Sequence, residues 1–234
     1  MIEKVTVLPK ISIDCMSLAK IYAQSNAFDG SALENDFWVQ KSDENITAVI
    51  SMDGGSMNVY CNNADYSELS EFISALRPSV VFTEYENAAP LGLKCHRVRN
   101  MLKSHTEKTS DEIDNFTLKE LYDGLDNGSD VDIHLPSFEV FAPDVSHRLR
   151  HSGAVAVVKE YGAALAFTYS GGAVMSGIAL SKDYRGKGLG KKLLFELLSQ
   201  THGDFFVAAN DINKEFYLRN GFLLEGRVCF GSLE

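Results

Sequence analysis

Six consecutive residues, Arg185-Gly186-Lys187-Gly188-Leu189-Gly190, combine what an anion-binding turn needs. Glycine accepts a positive φ and lets a ligand approach the main chain closely. An apolar run precedes the turn and an amphipathic segment follows it from Lys191, so the turn sits at a helix start. There the unpaired first-turn N–H groups and the helix dipole attract negative charge. Arg185, Lys187, Lys191 and Lys192 surround it with cations in a chain whose formal net charge is −10. A local sign opposite to the global one marks a specific anion site, and the chemistry suits a pyrophosphate.

Spacing separates three motifs that could own this stretch. A P-loop needs Gly-Lys-Ser/Thr, but Gly190-Lys191 is followed by Lys192, and Arg185 stands where the first glycine belongs. The dinucleotide fingerprint fails because its third glycine arrives one residue early, at Gly190, with no second βαβ half behind it. The pattern Arg/Gln-x-x-Gly-x-Gly/Ala after a strand is met by Arg185, Gly188 and Gly190. In this the chain resembles the GCN5-related N-acetyltransferase (GNAT) superfamily. A second block, Asn210 through Tyr217 to Gly221-Phe222, resembles the family's downstream element. Physically, Asp211 or Asn210 is placed to cap a helix, Ile212, Phe216 and Tyr217 to share its inner face, and Gly221 to end it in the left-handed region. Taken alone, Tyr217 reads as an amphipathic core tyrosine.

The resemblance covers residues 116–234 and implies an α/β (α+β) fold: a mixed, mostly antiparallel central sheet flanked by helices. It implies acetyl-CoA as co-substrate, a primary amine as acceptor, direct attack and no metal. It places the pyrophosphate on Arg185, Gly186, Lys187, Gly188, Leu189, Gly190 and Lys191, and the pantetheine arm along Ile178, Ala179 and Leu180, with Gly177 easing the strand splay. Asn210 orients that arm. Tyr217 is the expected general acid, since a phenol with an ordinary pKa near 10 can hand a proton to a thiolate. The general base is open: residues 173–176 carry no carboxylate where many relatives place a glutamate, leaving Glu160, His147, His151 or a water. His147 and His151 read equally as a solvated helix face, and Glu84 and Glu86, near the end of a first-half strand, as residues facing the cleft or as a surface loop. Asp123, Asp126, Asp130 and Asp132 read as an amine-attracting cluster or as ordinary turn chemistry. None of the four cysteines falls in 173–217, which disfavours a cysteine nucleophile. The missing strand carboxylate keeps a non-catalytic acyl-CoA-binding regulatory module, or transfer of a longer acyl group, as the alternatives.

Positioning elements are legible along the chain. Residues 11–25 read as a helix, 37–40, 46–52 and 57–61 as strands with a hairpin at Asp53-Gly54-Gly55, 65–76 as a helix stopped by Pro78, and 80–83 as a strand. These form an N-terminal α+β domain, 1–103, that resembles a degenerate half of the same fold without the glycine turn. Polar residues 104–115 read as a linker. Helices follow at 116–125 and at 138–150, the latter broken near Pro143. Strands at 154–159, 163–169 and 173–180 lead into the turn; the helix 189–200, the strand 205–209, the Tyr217 helix and a strand at 222–230 complete the order.

With 234 residues, 45% of them hydrophobic and 23% charged, the chain has the composition of a folded soluble protein. The acidic balance argues against nucleic acid. No apolar run reaches the roughly 20 residues of a membrane span. Cys15, Cys61, Cys95 and Cys229 form no C-x-x-C pair, which reads as small buried hydrophobes in a reducing, cytoplasmic setting. Monomer and homodimer are both open.

Overall fold

Apolar runs between 36 and 61, buried on both faces of the sheet, make two tight antiparallel hairpins, seen in a computed structural model that describes residues 1–26, 36–110, 115–126 and 135–233. The chain divides into two units, Met1–Lys103 with Phe206–Glu234, and Ser104–Phe205. The last residues, read with the second half of the chain, thus cluster with the first hundred.

In the first unit, β1 (Ile2–Val5) precedes α1 (Met16–Asn26), β2 (Asp36–Ser42), β3 (Asn45–Asp53) and β4 (Ser56–Cys61). Helix α2 (Tyr66–Leu76) crosses over to β5 (Val80–Glu84), followed by the short α3 (Tyr85–Ala88) and the long β6 (Leu93–Thr106). Asp65 caps α2 by accepting from the amides of Ser67 and Glu68 at 3.0 and 3.1 Å, and Leu69 and Ile73 bury its inner face. Parallel β4 and β5 pair only over Ser56–Asn58 and Val80–Phe82.

In the second unit, α4 (Leu118–Asp126) and α5 (Phe138–Arg150) pack on a meander of β7 (Ala154–Lys159), β8 (Gly162–Tyr169) and β9 (Gly172–Leu180). Their shared core is Leu121, Leu125, Phe141, Val145, Ala154, Ala156, Ala163 and Leu165. A 3-10 turn (Lys182–Tyr184) leads to α6 (Leu189–Ser199), whose buried Leu193, Leu194, Leu197 and Leu198 hold it to β7 and β8. Strand β10 (Gly203–Ala209) carries the chain back to the first unit, where α7 (Asp211–Leu218) and β11 (Leu223–Leu233) finish it. The first unit's strands run β1-β2-β3-β4-β5-β11-β6, with β11 antiparallel to both neighbours. One face of this sheet holds Phe37, Val39, Val49 and Tyr60 under Leu18 and Ile21 of α1; the opposite face holds Ile50, Met57, Val59 and Val81 with Leu69 and Ile73 of α2.

Several expectations need correction. Helix α1 begins at Met16, not at residue 11. Helix α5 runs unbroken through Pro143, the missing N–H costing one internal bond rather than the helix. The stretch 104–115 opens inside β6, and its residues 111–114 lie outside the described residues. Cys95 and Cys229 are bridged, with Cα atoms 5.7 Å apart. They are 134 positions apart in sequence, and only the β6–β11 pairing brings them together. Isolated spacing therefore carries no argument for a reducing compartment. Among the described residues no helix is long and apolar enough to cross a membrane.

Candidate active site

The glycine turn of the second unit has the conformation its sequence demands. Gly186 and Gly188 take φ of +74° and +77°, and Gly188 is the residue from which α6 starts. A Cβ at either position would meet nothing within 4 Å, so the backbone angle, not crowding, requires glycine there. The same emptiness leaves the main chain open to a ligand. Residues Arg185 to Gly188 are exposed, and the first turn of α6 contains no acid. Helix α2 of the first unit makes the contrast: its start carries Asp65 and Glu68, and Asn62-Asn63-Ala64 before it has no glycine. Electrostatics at α6 favour an anion; at α2 the carboxylates already occupy that role.

Around the turn, Arg185 Nε donates to the carbonyl of Leu180 at 3.2 Å, tying the turn to the end of β9. Lys187 lies over the ring of Tyr184 and Lys191 over that of Phe195, each 5.5 Å from the centroid. Strand β9 pairs with β8 through Gly162↔Leu180, Ala163↔Ala179 and Ala164↔Ile178. Its register slips where Leu165 faces Gly177 and Ala166 faces Met175, which bulges the exposed Ser176 out of the ladder. Gly177 thus flanks a bulge. The pyrophosphate and pantetheine candidates, Ile178 to Leu180 and Arg185 to Lys191, all lie in this one strand–turn–helix passage.

The other two candidates lie on α7 in the first unit. Asn210, not Asp211, caps that helix: its side chain accepts from the amide of Asn213 at 2.7 Å. Tyr217 is 6% exposed and packs edge-on to Phe216 and Phe222, with ring centroids 5.1 and 5.4 Å away. Burial holds its phenol above the ordinary value of 10.0. Gly221 takes φ +88° past the end of the helix, as expected. Ile212 does not join Tyr217; it is 87% exposed, because the short α7 turns only its C-terminal half inward.

The base candidates separate clearly. His147 and His151 stack on each other at 4.4 Å near the end of α5, and Glu160 is exposed in the β7–β8 turn. Arg148 between the histidines is buried, paired with Asp144 at 2.8 Å and lying over Phe167. Asp123 is engaged by Lys119, and Asp126 is exposed; Asp130 and Asp132 lie outside the described residues. Glu84 departs from its expected place in a surface loop, since it is buried and accepts from the amide and hydroxyl of Ser17. Glu86 is exposed. Among the described residues no three His, Cys, Asp or Glu side chains gather as a metal site.

Residues 150–223, which hold β7 to β9, the turn, α6 and Tyr217, match the family model described as "Acetyltransferase (GNAT) domain". Over this segment, about a third of the chain, the sequence is similar to that family. The whole chain also has the GNAT fold in solved structures. An acetyltransferase of the GNAT family from Colwellia psychrerythraea is similar over 100% of both chains at 14% identity, with a TM-score of 0.51. A GCN5-related N-acetyltransferase from Sphaerobacter thermophilus is similar over 92% of this chain and 90% of its own at 12% identity, TM-score 0.56. Another from Kribbella flavida covers 93% and 94% at 9% identity, TM-score 0.52. At such identities the likeness is one of fold, and it takes in the first hundred residues as well as the matched segment. No curated protein matches the chain.

Proposed function

We propose that the chain is an N-acetyltransferase that moves an acetyl group from acetyl-CoA to a primary amine by direct attack. The observation that carries this is the acid-free, glycine-opened start of α6 inside the segment similar to the GNAT family. Acetyl-CoA supplies an activated acyl carbon as a thioester. Main-chain amides from Gly186 to Gly190, with Lys187 and Lys191, hold the diphosphate, while Ile178, Ala179 and Leu180 offer main-chain groups to the pantetheine arm. Arg185, bonded to Leu180, fixes the angle between strand and turn. Asn210 starts the helix that presents Tyr217.

As the amine nitrogen bonds to the acyl carbon, the carbon–sulfur bond breaks and the thiolate needs a proton. Tyr217 is the donor. Burial favours its protonated form, which suits it to act as an acid. The same burial makes it a weak acid, so its contribution is a hydrogen bond to the developing thiolate before full transfer. The proton lost by the amine leaves through water, because the bulged Ser176 is no carboxylate.

A second reading, a non-catalytic acyl-CoA-binding module, draws on that same Ser176. Thiol release from acetyl-CoA over a panel of amines tests both. Turnover that falls about a hundredfold in Tyr217→Phe, with CoA binding kept, supports the enzyme and its acid. Undiminished turnover in the variant removes Tyr217 from the chemistry. Thermal stabilisation by CoA with no turnover on any amine supports the binding module, and turnover only with longer acyl-CoA would reassign the donor.

A further inference from the structure

On the sheet face that lies under α1, the first unit gathers cations around two aromatic rings. Register sets its composition. Phe230 of β11 pairs with Phe82 of β5 on one side and with Arg97 of β6 on the other, and residues directly opposite in an antiparallel ladder share a face. The next row on that face is Glu84, Val228 and Arg99. Phe82 and Phe230 meet edge to face at 4.8 Å. Above them, α1 lays Lys20, with its ammonium 3.9 Å from the Phe82 centroid and 5.6 Å from that of Phe230.

Lys20, Phe230, Arg97 and Arg99 are each half-buried. Neither Lys20 nor Arg97 makes an ion pair with a described residue. Arg99 donates to the carbonyl of Val98 at 3.0 Å and adds a third positive charge to the row. The carboxylate of the patch, Glu84, is committed to Ser17. In a chain with 32 acids and 22 bases, the lack of a carboxylate partner on Lys20 and Arg97 runs against the general balance. Placing Lys20 there costs stability, since burial lowers its pKa from 10.5 to about 8. A fold that pays this cost leaves a fixed positive field over an aromatic floor.

We propose that this face binds a small oxyanion-bearing molecule, a carboxylate or a phosphate, beside Lys20, Arg97 and Arg99, with its carbon skeleton against the half-buried Phe230. Guanidinium groups suit both oxyanions through paired N–H donors. The proposal is independent of the acetyl-transfer reading and of the glycine turn.

Calorimetric titration of the full chain with inorganic phosphate and with succinate, at constant ionic strength, tests it. Saturable binding of at least one probe is expected, weakened about tenfold or more in Lys20→Met and in Arg97→Gln and retained in Gly188→Ala. Preference for phosphate or for succinate then names the class of anion. Methionine keeps the stacked aliphatic stem of Lys20, and melting curves of both variants establish that they are folded. Absence of saturable binding of either probe to the wild type overturns the proposal. So does binding that Gly188→Ala abolishes and the other two variants keep, which would assign the anion to the glycine turn.

Discussion

The carboxylate of Glu84 accepts from Ser17 twice, from its backbone amide at 2.9 Å and from its hydroxyl at 2.5 Å. Ser17 lies in the first turn of α1, so a side chain from the end of β5 caps a helix 67 residues earlier in sequence. The contact sits just past the point where β4 and β5 stop pairing. Cys61 of β4 also adjoins: burial, and secondarily the Glu84 charge, push its thiol up to about 12.

Glu84→Ala leaves buried donors of Ser17 unmatched and is expected to cost on the order of 2–3 kcal/mol in urea unfolding. Glu84→Gln keeps an acceptor and costs less. Burial raises the Glu84 pKa above 4.5, so the folded state holds its proton more tightly than the unfolded one. The wild type's stability from this group is complete below pH 4.5 and declines as pH rises through the folded value; Glu84→Gln removes that slope.

Gly188→Ala forces an alanine to φ +77°. A stability loss of about 1–2 kcal/mol is expected. CoA binding, measured by calorimetry, falls by more than that loss explains, because the substitution also obstructs main-chain approach at the turn. Unchanged CoA affinity would move the coenzyme away from α6.

Thiol titration of the denatured, unreduced chain is expected to find two thiols, Cys15 and Cys61, and all four cysteines after reduction. Replacing Cys95 and Cys229 by serine opens a long loop and lowers stability by about 2–4 kcal/mol. Four thiols before reduction would exclude the bridge.

Lys20→Met relieves the burial of an ammonium while keeping its packing on Phe82. The variant is expected to be the more stable by about 1 kcal/mol at pH 7, the lost cation–π attraction offsetting part of the gain. The folded pKa of about 8 lies below the ordinary 10.5, so wild-type stability rises with pH between those values. The advantage of the variant therefore shrinks over that interval and is gone by about pH 10.5, which melting curves across pH would show.

Where one local rule dominates, the sequence is readable. Asp65, Pro78 and the apolar spacing of Leu69 and Ile73 delimit α2, and Asp53-Gly54-Gly55 marks the β3–β4 hairpin. The α6 turn is legible for the same reason, since glycine spacing and charge act within a few residues. Strand β6 is not. Lys94, His96, Arg97 and Arg99 interrupt its apolar residues, and its strand character comes from pairing with β11 more than a hundred positions away. The burial of Glu84 and the Cys95–Cys229 bridge were hidden for the same reason. Both depend on which distant strands become neighbours. Ile212 failed differently: helical period places it near Tyr217, but an eight-residue helix buries only the turn that meets a neighbour.

Strand β11 has a consequence for how this protein is made. It lies between β5 and β6, hydrogen-bonded to both, yet it is translated after the whole second unit. While the ribosome is still making residues 104–205, the first hundred residues hold two strand edges with no chain to bridge them. Their sheet closes only when residues 223–233 emerge, so a nascent chain halted earlier exposes those edges to aggregation or chaperones.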